Sequence, residues 1–158
     1  MLAGRLGEEP WVQLSIQMSL LNVRDLERSL GFYQDVFGLR VASRDNRVAV
    51  LMISEAERQQ VLVLREEGGP QAIHMGRGGI GPRVLALEAG SPAELDAIGQ
   101  RLAEREALIG RRRTASWESI VGVDPDRIQV AVSASLTGAP IQSEQWSQLD
   151  EMAYIVGE

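Results

Sequence analysis

LNVRDLERSLGFYQDVFGLRV, residues 21–41, decides how the rest of the chain is read. Asp25 stands where a helix begins, because its carboxylate can accept a backbone N–H that has no partner inside the first turn. Leu26, Leu30, Tyr33 and Phe37 follow at spacings of one or two helical turns and form one apolar stripe. Gly38 ends the helix, since only glycine takes the left-handed closing conformation without strain. Before the helix, Ser15–Val23 reads as a strand. Ile16, Met18, Leu20 and Asn22 line one face of it, and Gln17, Ser19, Leu21 and Val23 line the other.

Three strands are expected after the helix: 39–43, 47–53 and 60–64, with Asp45-Asn46 as a turn. A Gly-rich stretch, 68–81, separates this module from the second half of the chain. The order then repeats. A strand at 83–88 leads to Ser91-Pro92-Ala93-Glu94, a capping box with proline at the first helical position. Leu95, Ile98 and Leu102 give the apolar stripe, and strands are expected at 107–113, 117–123 and 127–133. Asp124-Pro125-Asp126 forms the last turn.

The chain therefore reads strand–helix–three strands, twice: an α+β fold. The segments are a leader at 1–11, a first βαβββ module at 12–67, a linker at 68–81, a second βαβββ module at 82–136 and a tail at 137–158. The tail carries Trp146, Leu149, Met152, Tyr154 and Ile155, enough apolar surface to pack on the body or on a second subunit. Neither module alone has a comfortable core, so the two are expected to pair.

Composition removes several function classes. All 16 basic residues are arginine, which excludes a lysine Schiff base. There is no cysteine, hence no thiolate ligand, Cys nucleophile or disulfide framework. A net charge of −6 argues against nucleic acid and is compatible with a cationic or neutral ligand. No apolar run approaches the ~18 residues of a membrane span, so no membrane association is expected. The opening MLAGRLGEEPW has no apolar core, so a secretory signal is not expected and a cytoplasmic setting is. GRGGIG, residues 76–81, lacks the Lys-Ser/Thr ending of a phosphate loop.

Several motifs together resemble the vicinal-oxygen-chelate superfamily of glyoxalases, bleomycin-resistance proteins and extradiol dioxygenases. NVRDLERSLGFYQDVFGLRV (22–41) is similar to its first helix, and LALEAGSPAELDAIGQRLAERE (85–106) to its second strand and helix. VDPDRIQVAV (123–132) resembles its Asp-Pro-Asp-Gly-Asn hairpin with the Gly-Asn missing, and the tail from Ser135 looks most like dioxygenase-type members. The resemblance implies two paired βαβββ modules forming a curved-sheet cup with helices outside, and a homodimer. It also implies a divalent metal on two His and one Glu. Those positions fall here on Met18, seven residues before Asp25, on Val84 and on Gln129. A neutral thioether, a hydrocarbon and an amide do not make a transition-metal site. No cofactor and no metal are therefore expected, although carboxylates such as Glu88 and Glu118 could in principle converge on Mg(II) or Ca(II).

The expected cup face carries Met18, Leu20, Asn22, Val84, Ala86, Glu88, Trp117 and Gln129 as ligand-binding candidates. Met18 reads as a soft pocket wall or as core. Asn22 and Gln129 could orient a ligand or satisfy each other. Trp117 could stack on a planar ligand or simply pack. Glu88 is a candidate base, or the partner of Arg113 or Arg127. His74, the single histidine, is a candidate base at the cavity mouth or a loop residue with no role. Arg111, Arg112 and Arg113 could hold an anion or be a solvated edge, with Arg112 facing opposite to the other two. The sequence favours a metal-free protein that binds a small hydrophobic or aromatic ligand. A lyase, isomerase or dioxygenase-type enzyme with a non-standard site is the alternative. A non-catalytic partner of a related enzyme is a third.

Overall fold

The computed structural model describes residues 16–54, 59–67 and 84–140. The leader, the linker with His74, and the tail from residue 141 onward lie outside the described residues. The first module contains β1 (Met18–Val23), α1 (Leu26–Phe37), β2 (Arg40–Arg44), β3 (Val48–Ser54) and β4 (Gln60–Glu66). The second contains β5 (Val84–Glu88), α2 (Pro92–Glu104), β6 (Leu108–Arg113), β7 (Trp117–Val123) and β8 (Gln129–Ser135). Each module makes its own four-stranded sheet, in the orders β1-β4-β3-β2 and β5-β8-β7-β6. In each, the first strand pairs parallel with the last, and the rest are antiparallel. This is the α+β repeat expected from the sequence.

Local chemistry sets the helix ends. Asp25 caps α1 by accepting from the Arg28 N–H at 3.0 Å, and Gly38 closes it at φ 68°. Ser91 caps α2 by accepting from the Glu94 N–H at 3.2 Å, with Pro92 just inside the start. Both helices lay their apolar stripes on one core shared by the two sheets. Leu26, Leu30, Tyr33 and Val36 from α1 join Leu95 and Leu102 from α2. Ala49, Leu51, Leu62 and Leu64 of the first sheet and Ile120, Val130, Val132 and Ala134 of the second complete it. The expected stripe on α1 was too narrow: Phe32 and Val36 are buried too. Phe32 meets Tyr33 edge-on, with ring centroids 5.3 Å apart.

The modules are tied where α1 meets the β7–β8 turn. The buried Tyr33 hydroxyl donates to Asp124 Oδ2 at 2.9 Å. Asp124 Oδ1 accepts from the N–H groups of Asp126 and Ile128, both at 2.8 Å, which shapes the turn. Asp126 reaches back to the Arg24 N–H at 3.1 Å and the Ser29 hydroxyl at 3.3 Å. Arg28 donates to the Pro125 carbonyl. Nearer the other end of α1, Arg101 donates to the Val36 carbonyl at 3.1 Å and Arg105 pairs with Asp35 at 2.7 Å. Arg127 sits at φ 65°. It occupies the left-handed position where the resembled hairpin has glycine, so the turn carries strain of about 1 kcal/mol.

Burial pushes the Tyr33 hydroxyl well above its ordinary value of 10.0, and the neighbouring Asp124 charge adds to this, so the phenol stays a donor. Burial likewise raises Asp124 above 3.8, against the lowering effect of its three hydrogen bonds. A raised carboxyl favours folding in acid, and that contribution is lost as pH rises through the folded-state value. The Tyr33 bond lowers the Asp124 value and so offsets part of the loss. Tyr33→Phe is therefore expected to cost about 1.5–3 kcal/mol at neutral pH, where it leaves a buried carboxylate short of a donor. The cost should shrink as pH falls through the Asp124 titration. Urea unfolding of both proteins from neutral to acid pH checks this, and a cost independent of pH would contradict it.

Candidate functional site

Each sheet turns one face to the helices; the opposite face is open on the first sheet and largely buried on the central strands of the second. In β1 the alternation is as expected: Leu21 and Val23 face the core, while Met18, Leu20 and Asn22 lie on the opposite face. Their register partners on β4 are Val61, Val63 and Arg65. Those pair in turn with Met52, Val50 and Val48 of β3. This open face is apolar across three strands, yet Met18 is 50% exposed and Leu20 46%. The reading of Met18 as buried core is therefore corrected: it lies half exposed on the open face. A groove of about 500 Å³ lies at one end of the face, lined by Leu20, Asp45, Asn46, Arg47, Val48 and Arg65.

On the second sheet, Val84, Ala86 and Glu88 share a face with Gln129, Ala131 and Ser133 of β8. Val123, Val121, Ser119 and Trp117 of β7 continue it. Trp117 is 2% exposed and packs with Val121 and Ala131, with Val84 against them. Ser119 donates to the Val132 carbonyl at 3.1 Å and lies 3.0 Å from the Ser133 hydroxyl. Gln129 Oε1 is also buried. Ala86 and Glu88, on the edge strand, are exposed. Glu88 lines a small open cavity of about 310 Å³ with Ala89, Gly90, Ser135, Gly138, Ala139 and Pro140. Among the described residues no ion pair reaches it, so the expected bridge to Arg113 or Arg127 does not form. The eight expected ligand-binding residues thus divide, with Met18, Leu20 and Asn22 on the first sheet and five on the second.

The fit to a metal can be judged from the donors. Val84 and Gln129 are register partners on adjacent strands, and Met18 stands on the other sheet. Thioether, hydrocarbon and amide give no anionic or imidazole donor for a divalent ion. Among the described residues no group of three His, Cys, Asp or Glu side chains comes together. Glu118, considered for a carboxylate site, is instead buried on the helix side of its sheet. It pairs with Arg111 at 3.1 Å and lies 3.9 Å from Arg113. Arg111 also meets Asp96 of α2 at 2.5 Å. The arginine run is therefore an edge strand whose two like-facing members clamp a buried carboxylate.

Sequence reading missed Val48, Val50, Met52, Val61 and Val63 as open-face residues. β3 and β4 are apolar on both faces, which erases the period-2 signal. It also missed Arg47 and Arg65, whose place beside Leu20 depends on cross-strand register. Asp45-Asn46 was legible as turn chemistry: Asp45 Oδ1 accepts from the N–H groups of Arg47 at 2.8 Å and Val48 at 2.9 Å. Those bonds hold its carboxyl below 3.8.

Comparison with known proteins agrees with this geometry. The family model described as Glyoxalase/Bleomycin resistance protein/Dioxygenase superfamily matches residues 15–132. Catechol-2,3-dioxygenase of Bacillus subtilis (strain 168) is 33% identical over 106 residues, which is 67% of this chain and 36% of that protein. The chain thus spans about a third of that relative's length. A glyoxalase/dioxygenase from Nostoc punctiforme superposes with a TM-score of 0.63 at 18% identity, covering 77% of this chain and 90% of its own. The fosfomycin resistance protein FosX from Mesorhizobium loti gives 0.57 at 18% identity, covering 80% and 97%. At these identities the two structures speak to the fold.

The arginine run makes one expectation testable. Arg111→Gln removes the nearer partner of a carboxylate that is only 6% exposed, and should cost about 1–3 kcal/mol. Arg113→Gln, which loses a contact at 3.9 Å from an arginine 68% exposed, should cost less than about 1 kcal/mol. Equal costs in chemical denaturation would contradict the clamp.

Proposed function

The chain belongs to the glyoxalase/bleomycin resistance protein/dioxygenase superfamily, and from that premise we propose that it binds a small hydrophobic or aromatic molecule without the family's two-His-one-Glu metal. The observation that carries this reading is the open apolar face of the first sheet. Met18 and Leu20 are about half exposed there, in a row with half-buried Val61 and Val63 and backed by Val48, Val50 and Met52. Exposed contiguous apolar surface of this kind marks a place where something binds. Concave sites of mainly apolar lining with a few polar groups suit small ligands. Asn22 and Arg65 are register partners on that face and supply such groups.

The second sheet contributes differently in this reading. Trp117 and the amide oxygen of the half-buried Gln129 are buried and shape the wall, while Ala86 and Glu88 are exposed on the strand that a ligand would approach. A homodimer in the cytoplasm belongs to the same proposal, a second copy being one way to enclose the open face. Among the described residues no helix is long and apolar enough to cross a membrane.

A screen of small aromatic compounds by protein-observed NMR tests the reading on the full chain. Binding is expected to survive chelator treatment unchanged. Leu20→Asp should weaken it at least tenfold while leaving stability within about 0.5 kcal/mol of the parent, because the side chain is surface-exposed. Elemental analysis of protein purified without chelator is expected to find no stoichiometric transition metal. A bound metal at one per chain, or binding lost on chelation, would sink the metal-free assignment.

A further inference from the structure

We propose that the groove at the β2–β3 turn is the head-group end of that ligand site, and that the ligand is an amphipathic anion. This rests on the reading of the first sheet's open face as the ligand face, and adds a chemical class to it. The net charge of −6 points toward a cation, but the groove is built otherwise. Two guanidinium groups line it, from Arg47 and Arg65, together with the apolar side chains Leu20 and Val48. Arg65 and Val48 are register partners on adjacent strands, so a molecule lying along Leu20 and Val48 ends beside Arg65.

Much of each arginine's donor capacity is uncommitted. Arg47 spends Nη2 on the Glu66 carbonyl at 3.0 Å, and Arg65 points Nε at Glu67 at 3.2 Å. Among the described residues their other guanidinium N–H groups take no protein acceptor. Two acids stand nearby. Asp45, which lines the groove, turns Oδ1 back onto the N–H groups of Arg47 and Val48, which fixes the turn. Glu67 is half exposed and meets Arg65 at Nε, the inner edge of the guanidinium. A guanidinium with a free edge matches a carboxylate, sulfonate or phosphate by paired hydrogen bonds. Asn46, at the tip of the same turn, adds an amide donor to the lining. A neutral apolar ligand would use Leu20, Val48 and the valines beyond them, and leave the two arginines idle.

Two fluorescent probes separate these possibilities: anilinonaphthalene sulfonate, and phenylnaphthylamine, which has the same aromatic body without the anion. The sulfonate is expected to bind more tightly than the neutral dye to the full chain. Arg47→Gln combined with Arg65→Gln should weaken the sulfonate about tenfold and the neutral dye less than about twofold. Raising salt from about 0.05 to about 0.5 M on the unmodified protein should weaken the sulfonate alone, a readout independent of how the variants fold. Leu20→Asp should weaken both dyes. Equal affinity for the two dyes, or an equal response of both to the arginine changes, would overturn the anion assignment while leaving the apolar site standing. Failure of both dyes to bind, or indifference of both to Leu20→Asp, would overturn the site itself along with the head group.

Discussion

One hydrogen bond organises this molecule: Tyr33 to Asp124, buried between the first module's helix and the second module's hairpin. Two four-stranded sheets with a helix each cannot bury much apolar surface separately. Joined, they share a core in which residues of both helices and both sheets are almost fully enclosed. The bond sits at the edge of that core, and its acceptor is not an independent side chain. The other oxygen of Asp124 holds the N–H groups of its own turn, so the carboxylate reaches Tyr33 already oriented. Asp126 and Pro125 then grip the start of α1 through Arg24, Ser29 and Arg28. Once that end is fixed, the ion pair between Arg105 and Asp35 leaves little freedom at the other.

The same arrangement separates structural charge from functional charge. Several of the charged groups described lie on the helix side or in turns and pair with one another there. Arg111 and Glu118, Arg105 and Asp35, and Arg44 and Glu27 are of this kind. The open face of the first sheet is different, being largely apolar with arginines toward one end. A whole-chain charge therefore says little about what such a face would attract. Of the acids at the groove, Asp45 is turned onto the N–H groups of its own turn and Glu67 meets Arg65.

The repeat, the helix caps and the apolar stripes could be read from residues 21–41 and 91–102 alone, because capping and helical periodicity are local. Pairing between the modules could not. Tyr33 looks like any core aromatic and Asp124 like any turn aspartate; 91 positions of sequence separate them. The candidate site was half legible. Met18, Leu20 and Asn22 announce their shared face by alternation with Leu21 and Val23. The remainder of the wall lies on β3 and β4, where apolar residues occupy both faces. Trp117 and Glu88 show the opposite limit: the shared face was legible, but not that one would be enclosed and the other exposed, since β5 is an edge strand and β7 is not.

That two-sided apolarity of β3 has a consequence for how the first sheet assembles. A strand with one polar face resists slipping by a residue, because the slip would carry its apolar side chains into water. Val48 to Ile53 has no such safeguard, as either alternation presents hydrocarbon to the helix. The alignment must be enforced from the turn that opens β3. Asp45 locks the turn by holding the N–H groups of Arg47 and Val48. At the same end of the sheet, the Glu66 N–H meets the Arg47 carbonyl at 2.7 Å, and its carboxylate takes the Leu26 N–H at 2.9 Å. Irregularities between Val41 and Ser43 and between Met52 and Ser54 mark where the count is adjusted. Three polar residues thus keep the register of a sheet whose hydrophobic pattern does not specify it.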